Sequence, residues 1–260
     1  MNVISFALWG DGPKYIDGLN ANIELAAVHY PGWSVVVAFP FRTITQAVVD
    51  YASSTWAMWD GYDAPDLWGL FARFHPAANP NYEHVLIRDA DSRINAREAA
   101  AVSEWIQSGK AFHVMRDHPR HRRPMLGGMW GCRGGALPDI DDQINDWLAG
   151  RRVKHDMDQR FLADVVWPKA RRDCFVHDSQ DWRQGGETQA WENVKALWYI
   201  AADPSPGAGE VLYKRPHKFP PHADISPSRF VGDVILADGT ADQSIQDPHV
   251  LTTTTQGGTP

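Results

Sequence analysis

Residues 33–39 have the sequence Trp-Ser-Val-Val-Val-Ala-Phe, an apolar run rich in β-branched residues. Such a run is typical of a strand that is buried on both faces, as strands of parallel sheets are. It follows the helix stop Pro31-Gly32 and a segment from Ile16 to Tyr30 whose apolar residues recur at helical spacing. Residues 3–9 form an earlier apolar run that ends at a glycine-rich turn. This order of strand, helix and strand predicts a βαβ unit and an α/β fold with a mostly parallel sheet flanked by helices.

Further elements are predicted beyond this unit. Residues 83–88 form an apolar strand, and Asn95 followed by Glu98 is typical of a helix N-terminus. The other predicted elements are helices at 44–56, 65–74, 95–109, 138–150 and 156–167, and strands at 111–115, 125–132 and 174–176. We expect residues 1–240 to form one domain and residues 241–260 a flexible tail, because the end of the chain is Thr-rich and of low complexity.

Composition excludes several classes of protein. The formal net charge is −7, which disfavours nucleic acid as a partner because phosphate binding requires a basic face. No apolar stretch reaches the roughly 18 residues of a membrane span. The first residues lack a basic region typical of a signal peptide, and the two cysteines, Cys132 and Cys174, are too few for a disulfide framework. We therefore expect a cytoplasmic protein.

Asp89 and Asp91 directly follow the strand at 83–88. In an open α/β sheet, ligands bind at the carboxyl ends of the strands. Two carboxylates separated by one residue can both reach a hard divalent cation such as Mn²⁺ or Mg²⁺, whose other positions are filled by water and phosphate oxygens. The two residues are therefore candidate metal ligands.

A basic run between residues 116 and 123 contains Arg116 and His118. It indicates either a solvated loop or a binding surface for a small anionic ligand at the mouth of a site. Within it, Asp117 and His118 either contact a substrate and transfer a proton or form a simple turn before Pro119.

Residues 85–93, Val-Leu-Ile-Arg-Asp-Ala-Asp-Ser-Arg, resemble the strand and Asp-x-Asp element of GT-A fold glycosyltransferases that use nucleoside-diphosphate sugars. The opening residues 4–10 resemble the nucleotide-binding start of that fold. Residues 88–93, 113–119 and 126–131 are similar to those of a small bacterial and viral group of glycosyltransferase-like proteins. The resemblance implies transfer of a sugar from such a donor to an unidentified acceptor. It also implies donor contacts at several positions, namely Phe6, Ala7, Trp9, Arg88, Asp89, Ala90 and Asp91.

Two later segments resemble the glycogenin type of retaining enzyme. Asp158-Gln159, at a predicted helix start, resembles the Asp-Gln pair beside the donor sugar. His177 lies where those enzymes supply a third metal ligand. The resemblance implies catalytic roles for Asp158 and Gln159 and retention of anomeric configuration. The alternatives are a helix cap formed by Asp156 or Asp158, with Gln159 facing solvent, and a structural histidine at residue 177.

Four other residues are candidates for substrate contacts. Arg73 could pair with Asp89 or with a phosphate, or lie on a helix surface. Gly127 and Gly128 permit close approach of a ligand or mark a bulge, and Trp130 stacks on an acceptor sugar or belongs to the core. The same carboxylate and metal chemistry also fits a nucleotidyltransferase or a phosphohydrolase. A carbohydrate-binding protein without catalysis is a further alternative.

Overall fold

The computed structural model of the chain describes residues 1–10, 12–40, 45–63, 68–116, 123–178, 194–196, 199–201 and 212–214. The strands are β1 (Val3–Ala7), β2 (Ser34–Pro40), β3 (Met58–Tyr62), β4 (His84–Arg88), β5 (Phe112–Arg116), β6 (Met129–Arg133), β7 (Cys174–Asp178), β8 (Val194–Ala196), β9 (Tyr199–Ala201) and β10 (Leu212–Lys214). The α-helices are α1 (Pro13–His29), α2 (Gln46–Ser54), α3 (Gly69–Ala72), α4 (Ala96–Ser108), α5 (Ile140–Leu148), α6 (Met157–Phe161) and α7 (Trp167–Ala170). The predicted tail at 241–260, Asp117 and His118 lie outside the described residues.

Within the described residues, eight strands form one sheet in the order β3-β2-β1-β4-β6-β5-β7-β8. All neighbouring pairs are parallel except the two that involve β6, which runs antiparallel between β4 and β5. Strands β9 and β10 form a separate antiparallel pair. The predicted α/β class and mostly parallel sheet are confirmed.

Helices cover both faces of the sheet. Alternate residues of β1 point to opposite faces, so that Val3 belongs to one core cluster and Ile4 to the other. The cluster of Val3 includes residues of α3, α5 and the helical segment 157–170. That of Ile4 includes residues of α1, α2 and α4. The sheet is thus the middle layer of three.

The helical segment 157–170 contains a π-helical turn at Leu162–Val166 between α6 and α7. Pro168 lies in the first turn of α7. Proline has no N–H, and its ring collides with the carbonyl four residues earlier, so a regular α-helix cannot continue through this position. The predicted helix at 156–167 is therefore present, but it extends further and is irregular.

The order of the strands places a crevice between β1 and β4. The chain runs from β1 outward to β2 and β3, and then returns to β4 on the other side of β1. Ligands of open α/β sheets bind at such a reversal point, outside the carboxyl ends of the strands. The residues after β1 and after β4 therefore line the expected site.

Candidate active site

Arg73 joins two carboxylates that are far apart in the sequence. Its Nη1 lies 2.7 Å from Oδ1 of Asp89, which follows β4. Its Nη2 donates to Oδ2 of Asp158, in the first turn of α6, also at 2.7 Å. The side chains of Arg73 and Asp158 are each 5% exposed, whereas that of Asp89 is 31% exposed. A buried guanidinium therefore holds Asp158 next to the carboxyl end of β4.

Gly127 and Gly128 bring the segment before β6 against these carboxylates. A Cβ atom at Gly127 would overlap Oδ2 of Asp158 and lie 2.5 Å from Nη2 of Arg73. At Gly128 it would overlap the carboxylate of Asp89. The missing side chains of the two glycines therefore give room to Asp158 and Asp89, which are protein groups and not a ligand.

Asp91 lies at the mouth of the crevice with Lys14, a residue that the sequence did not single out. Nζ of Lys14 is 2.6 Å from Oδ2 of Asp91, and the two side chains are 59% and 32% exposed. The hydrogen bond to Asp91 raises the pKa of Lys14. Lys14 directly follows the proline that opens α1. In the sequence, the position of Lys14 after β1 is the feature that could have indicated a role for it. Its pairing with Asp91 depends on the order of the strands, which the sequence does not show.

Helix α1 also fixes the backbone between Asp89 and Ile94. Nδ2 of the buried Asn22 donates to the carbonyls of Ala90, at 3.2 Å, and Ser92, at 2.8 Å. Its Oδ1 accepts from the N–H of Ile94 at 3.0 Å. The predicted donor-contact residue Ala90 is 5% exposed and packs in the core cluster that contains Ile4. Asn22 therefore holds the backbone of the Asp-x-Asp segment in position against α1.

Several predicted ligand-contact residues lie in the protein interior. Phe6, Arg88 and Trp130 are each 0% exposed, and Ala7 is 4% exposed. In this structure these four side chains are covered by the rest of the protein, and their contacts with a ligand stay predictions. Trp130 packs edge-on against Phe74 in the core at a ring separation of 5.4 Å. Both faces of β6 are covered, so Met129 to Cys132 are all buried.

Arg88 is part of a buried polar network. Its Nε donates to Oε1 of Glu98 at 2.7 Å, and its Nη1 donates to the carbonyl of Trp130 at 2.8 Å. Glu98 also accepts from the hydroxyl of Tyr30 at 2.9 Å. Arg88 therefore anchors helix α4 to the sheet.

His177 does not lie with Asp89 and Asp91. Its Nδ1 is 2.9 Å from Nε2 of His113, and its Nε2 is 3.1 Å from Oε2 of Glu104 on α4. Strand β7 is three strands away from β4, a separation of about 14 Å at 4.8 Å per strand. In this structure the contacts of His177 are those of the structural alternative, and its role as a third metal ligand stays a prediction.

The remaining predicted site residues differ in exposure. Trp9, at the end of β1, is half-buried and stacks on Tyr15 with ring centroids 6.4 Å apart. Gln159 is also half-buried, whereas Arg116 is buried at the end of β5. Trp9 therefore lies near the crevice and is the one aromatic residue of the predicted donor contacts that is partly open to solvent.

Asp89 and Asp91 fit the oxygen-rich ligand set that Mn²⁺ and Mg²⁺ prefer. Both carboxylates are about one-third exposed and already face cations, Arg73 and Lys14. The described part of the chain holds no cluster of three or more histidine, cysteine or acidic residues suited to a metal ion. Among the described residues, Asp89 and Asp91 are the carboxylates that would hold a metal here, with substrate oxygens and water completing its coordination.

No protein-family model matches this sequence, and no curated protein matches it. Solved structures that are similar to the chain include a glycosyltransferase involved in the glycosylation of the major capsid of PBCV-1, at 13% identity and a TM-score of 0.45, covering 68% of this chain and 82% of that one. Galactosyltransferase LgtC, solved with donor and acceptor sugar analogs, also has 13% identity and a TM-score of 0.45, with coverage of 69% and 74%. TarS 1–349 of S. aureus has 14% identity and a TM-score of 0.35, with coverage of 54% and 48%.

No helix among the described residues combines the length and apolar character needed to cross a membrane.

Proposed function

We propose that this protein is a metal-dependent glycosyltransferase that moves a sugar from a nucleoside-diphosphate sugar to an acceptor, with retention of configuration. One observation carries the proposal: Arg73 links Asp89, after β4, to Asp158, in the first turn of α6, at 2.7 Å on each side. A diphosphate site and a carboxylate suited to the anomeric centre are thus adjacent. The sequence resemblance to GT-A enzymes supports the same assignment.

In this proposal Asp89 and Asp91 hold Mn²⁺ or Mg²⁺. When bound, such an ion neutralises negative charge on a departing diphosphate. Lys14 supplies a further cation at the same mouth, beside Asp91. Asn22 holds the backbone of the segment rigid through three hydrogen bonds. The chain therefore provides a fixed pair of carboxylates for the diphosphate end of the donor.

Asp158 is proposed to act at the donor sugar. Arg73 holds one of its oxygens, and the absence of a side chain at Gly127 leaves room for this pair. A carboxylate fixed in this way can stabilise positive charge on the sugar in the transition state or attack the anomeric carbon as a nucleophile. Gln159, the next residue, is half-buried beside it. As a nucleophile, Asp158 would displace the diphosphate and form a sugar ester, and an acceptor hydroxyl would then displace the carboxylate, which gives net retention.

The first experiment is a product analysis. We expect nucleoside-diphosphate sugars to raise the melting temperature in the presence of Mn²⁺, because ligands that bind the folded state stabilise it. Turnover should release a nucleoside diphosphate and a transferred sugar. Release of pyrophosphate or inorganic phosphate instead would identify a nucleotidyltransferase or a phosphohydrolase. Binding of the donor without any turnover would identify a carbohydrate-binding protein.

Asp91→Ala should abolish Mn²⁺-dependent donor binding while the fold persists, because the side chain is one-third exposed. Isothermal titration with the donor measures this loss. The matched control is Asp173→Ala. Asp173 is an exposed residue that pairs with Lys110, and it lies just before β7, at the opposite edge of the sheet. Full activity of the wild-type enzyme in excess EDTA would contradict the role of the metal.

Asp158→Asn should reduce turnover by about 100-fold, the size of effect seen when one electrostatic contact to a transition state is lost. Donor binding should change much less, because the carboxylate is proposed to act at the reacting carbon. The NMR coupling constant of the anomeric proton in the product reports the stereochemistry. An inverted linkage would reject the role of Asp158 and leave the metal assignment intact.

A further inference from the structure

A cavity of about 410 Å³ lies beside the helix that carries Asp158. It is lined by Arg151, Arg152, Lys154, His155, Asp156, Met157 and Arg160. Four of these residues are arginine or lysine, and one is a carboxylate. Since the whole chain has a formal net charge of −7, this positive lining is a local departure from the charge of the protein.

The one carboxylate in the lining is already paired with cations. Oδ2 of Asp156 lies 3.1 Å from Nη2 of Arg123 and 3.9 Å from Nε of Arg160. Arg123, the last residue of the basic run 116–123, therefore contacts the lining of the cavity through Asp156. The charge of Asp156 is therefore compensated by Arg123 and Arg160, and Arg151, Arg152 and Lys154 are the other cations of the lining.

One of the cations is held in place by the protein. The guanidinium of Arg151 lies 4.7 Å from the ring centre of Trp147 and donates to the carbonyl of the same residue. Arg152, Lys154 and His155 are exposed. The cavity thus combines a guanidinium that contacts Trp147 with the exposed cations Arg152 and Lys154, an arrangement that attracts anions and can bind phosphate or carboxylate through paired hydrogen bonds.

The cavity is next to the candidate active site along helix α6. Met157 lines it, and the next residue, Asp158, pairs with Arg73. Consecutive Cα atoms are about 3.8 Å apart, so the two features share one turn of helix. Its volume falls within the range of small-molecule sites, about 300–1,000 Å³.

We propose that this cavity is an acceptor subsite that binds the anionic group, a phosphate or a carboxylate, of the saccharide that receives the sugar. The assignment as an acceptor subsite rests on the proposed function. The binding of an anionic saccharide to the cavity does not depend on the proposed function, and this binding is measured without donor.

The test uses mannose 6-phosphate and galacturonic acid as probes, with mannose and galactose as their neutral counterparts. Titration of the full chain should show binding of at least one anionic probe at least about tenfold tighter than its neutral counterpart at low ionic strength. The phosphate and carboxylate probes distinguish the two sources of negative charge. Added salt should weaken the binding, because the Debye length falls from about 10 Å at 0.1 M to about 3 Å at 1 M.

The variant that tests the cavity is Arg152→Glu with Lys154→Glu. Both side chains are exposed, so the fold should persist, and binding of the anionic probe should weaken at least about tenfold. The matched control is Arg171→Glu with Arg172→Glu, which reverses two exposed charges that do not line the cavity. Donor binding with Mn²⁺ should be unchanged in both variants.

Unchanged probe binding in the cavity variant would overturn the proposal. So would equal binding of the neutral sugars, or binding of inorganic phosphate as tight as that of mannose 6-phosphate, because the sugar would then not be recognised. If the anionic probe binds as expected but no sugar is transferred to it from any donor, the acceptor assignment is overturned and the anion site remains. If donor turnover is present while the probe fails to bind, the proposed function stands without this subsite.

Discussion

Arg73 is almost fully buried, and its guanidinium is paired with Asp89 on one side and Asp158 on the other. Removal of one member of a buried ion pair leaves the other without compensation, which costs about 3–5 kcal/mol. The partner Asp158 is as buried as Arg73, whereas Asp89 is one-third exposed. The stability of this cluster therefore depends more on the contact between Arg73 and Asp158.

Gly127→Ala tests this dependence without changing a charge. The new methyl group would overlap Asp158 and Arg73, so their side chains would have to separate. We expect the free energy of unfolding to fall by about 2 kcal/mol, as overpacking typically causes, and turnover to fall with it. Urea denaturation and a steady-state assay measure the two effects.

Gly150→Ala provides the comparison for this variant. Gly150 has a φ of 72° and open space around its Cα, so alanine there costs only about 1 kcal/mol of left-handed strain. Turnover should be unaffected. If Gly127→Ala retained wild-type turnover, the contact between Arg73 and Asp158 would not be needed for activity.

Part of the site was predictable from single residues. Asp89 and Asp91 were placed at a strand end by the apolar run before them, and pairing of Arg73 with Asp89 was one of the alternatives. Lys14 and Asn22 were missed, because their contacts depend on α1 lying next to the segment after β4. Trp130 packs in the core, which was one of its two alternatives, whereas the burial of Arg88 was not predicted, because a sequence pattern identifies a strand but does not show how its polar residues are paired.

At the scale of secondary-structure elements, α4 is held in position by several hydrogen bonds. The side chain of Asn95 accepts from the N–H of Glu98, as predicted, and Gly109 ends the helix with a φ of 71°. Glu98 binds Arg88, and Glu104 binds His177. The helix therefore connects β4 to β7 through two polar contacts.

Asn95→Ala should reduce the free energy of unfolding by about 1 kcal/mol, because the first turn of α4 loses its side-chain acceptor. Asn95→Asp keeps an acceptor oxygen at the same position and should retain most of the stability. Urea denaturation of the three proteins measures the difference. Equal losses in both variants would mean that packing around Asn95, which is 3% exposed, matters more than the cap.

Elements with a clear apolar period were predicted within a few residues, and those without one were not. Residues 58–62, Met-Trp-Asp-Gly-Tyr, lack a continuous apolar run, and β3 was missed. It is an edge strand, whose residues are exposed or half-buried, so burial imposes little pattern on it. The antiparallel direction of β6 was also missed, because strand direction depends on the connection between strands and leaves no mark in the strand itself.

At the scale of the whole molecule, buried histidines couple stability to pH. Burial lowers the pKa of His113 well below its usual range, and the neighbouring His177 and Arg88 lower it further. Burial also lowers the pKa of His29 and His84. A group whose pKa is lower in the folded state binds more protons when the chain is unfolded. The stability that it contributes is complete above about pH 6.5 and is lost as the pH falls below that value.

The free energy of unfolding should therefore fall as the pH drops from about 7 to about 5, and His113→Gln should make that fall shallower. His75 affects the pH dependence of stability in the opposite direction to His113, because its hydrogen bond to Asp141 raises its pKa. His75→Gln should make the fall steeper. Urea denaturation at several pH values compares the three proteins. Parallel profiles for His113→Gln and the wild type would show that His113 does not titrate differently on unfolding.

The direction of β6 has a consequence for how this chain can change over evolutionary time. Met129 is paired with Arg88, which sets Gly128 beside Asp89 and turns Trp130 into the core. Inserting or deleting one residue in this strand would turn every side chain on one side of the change to the other face of the sheet. Substitutions at Met129, Trp130 and Cys132 can be absorbed by repacking, whereas a side chain at Gly131 would collide with the backbone of Val85 and a change in length would shift the register. In related chains we expect gaps to be excluded from residues 127–133, even where the residues themselves differ.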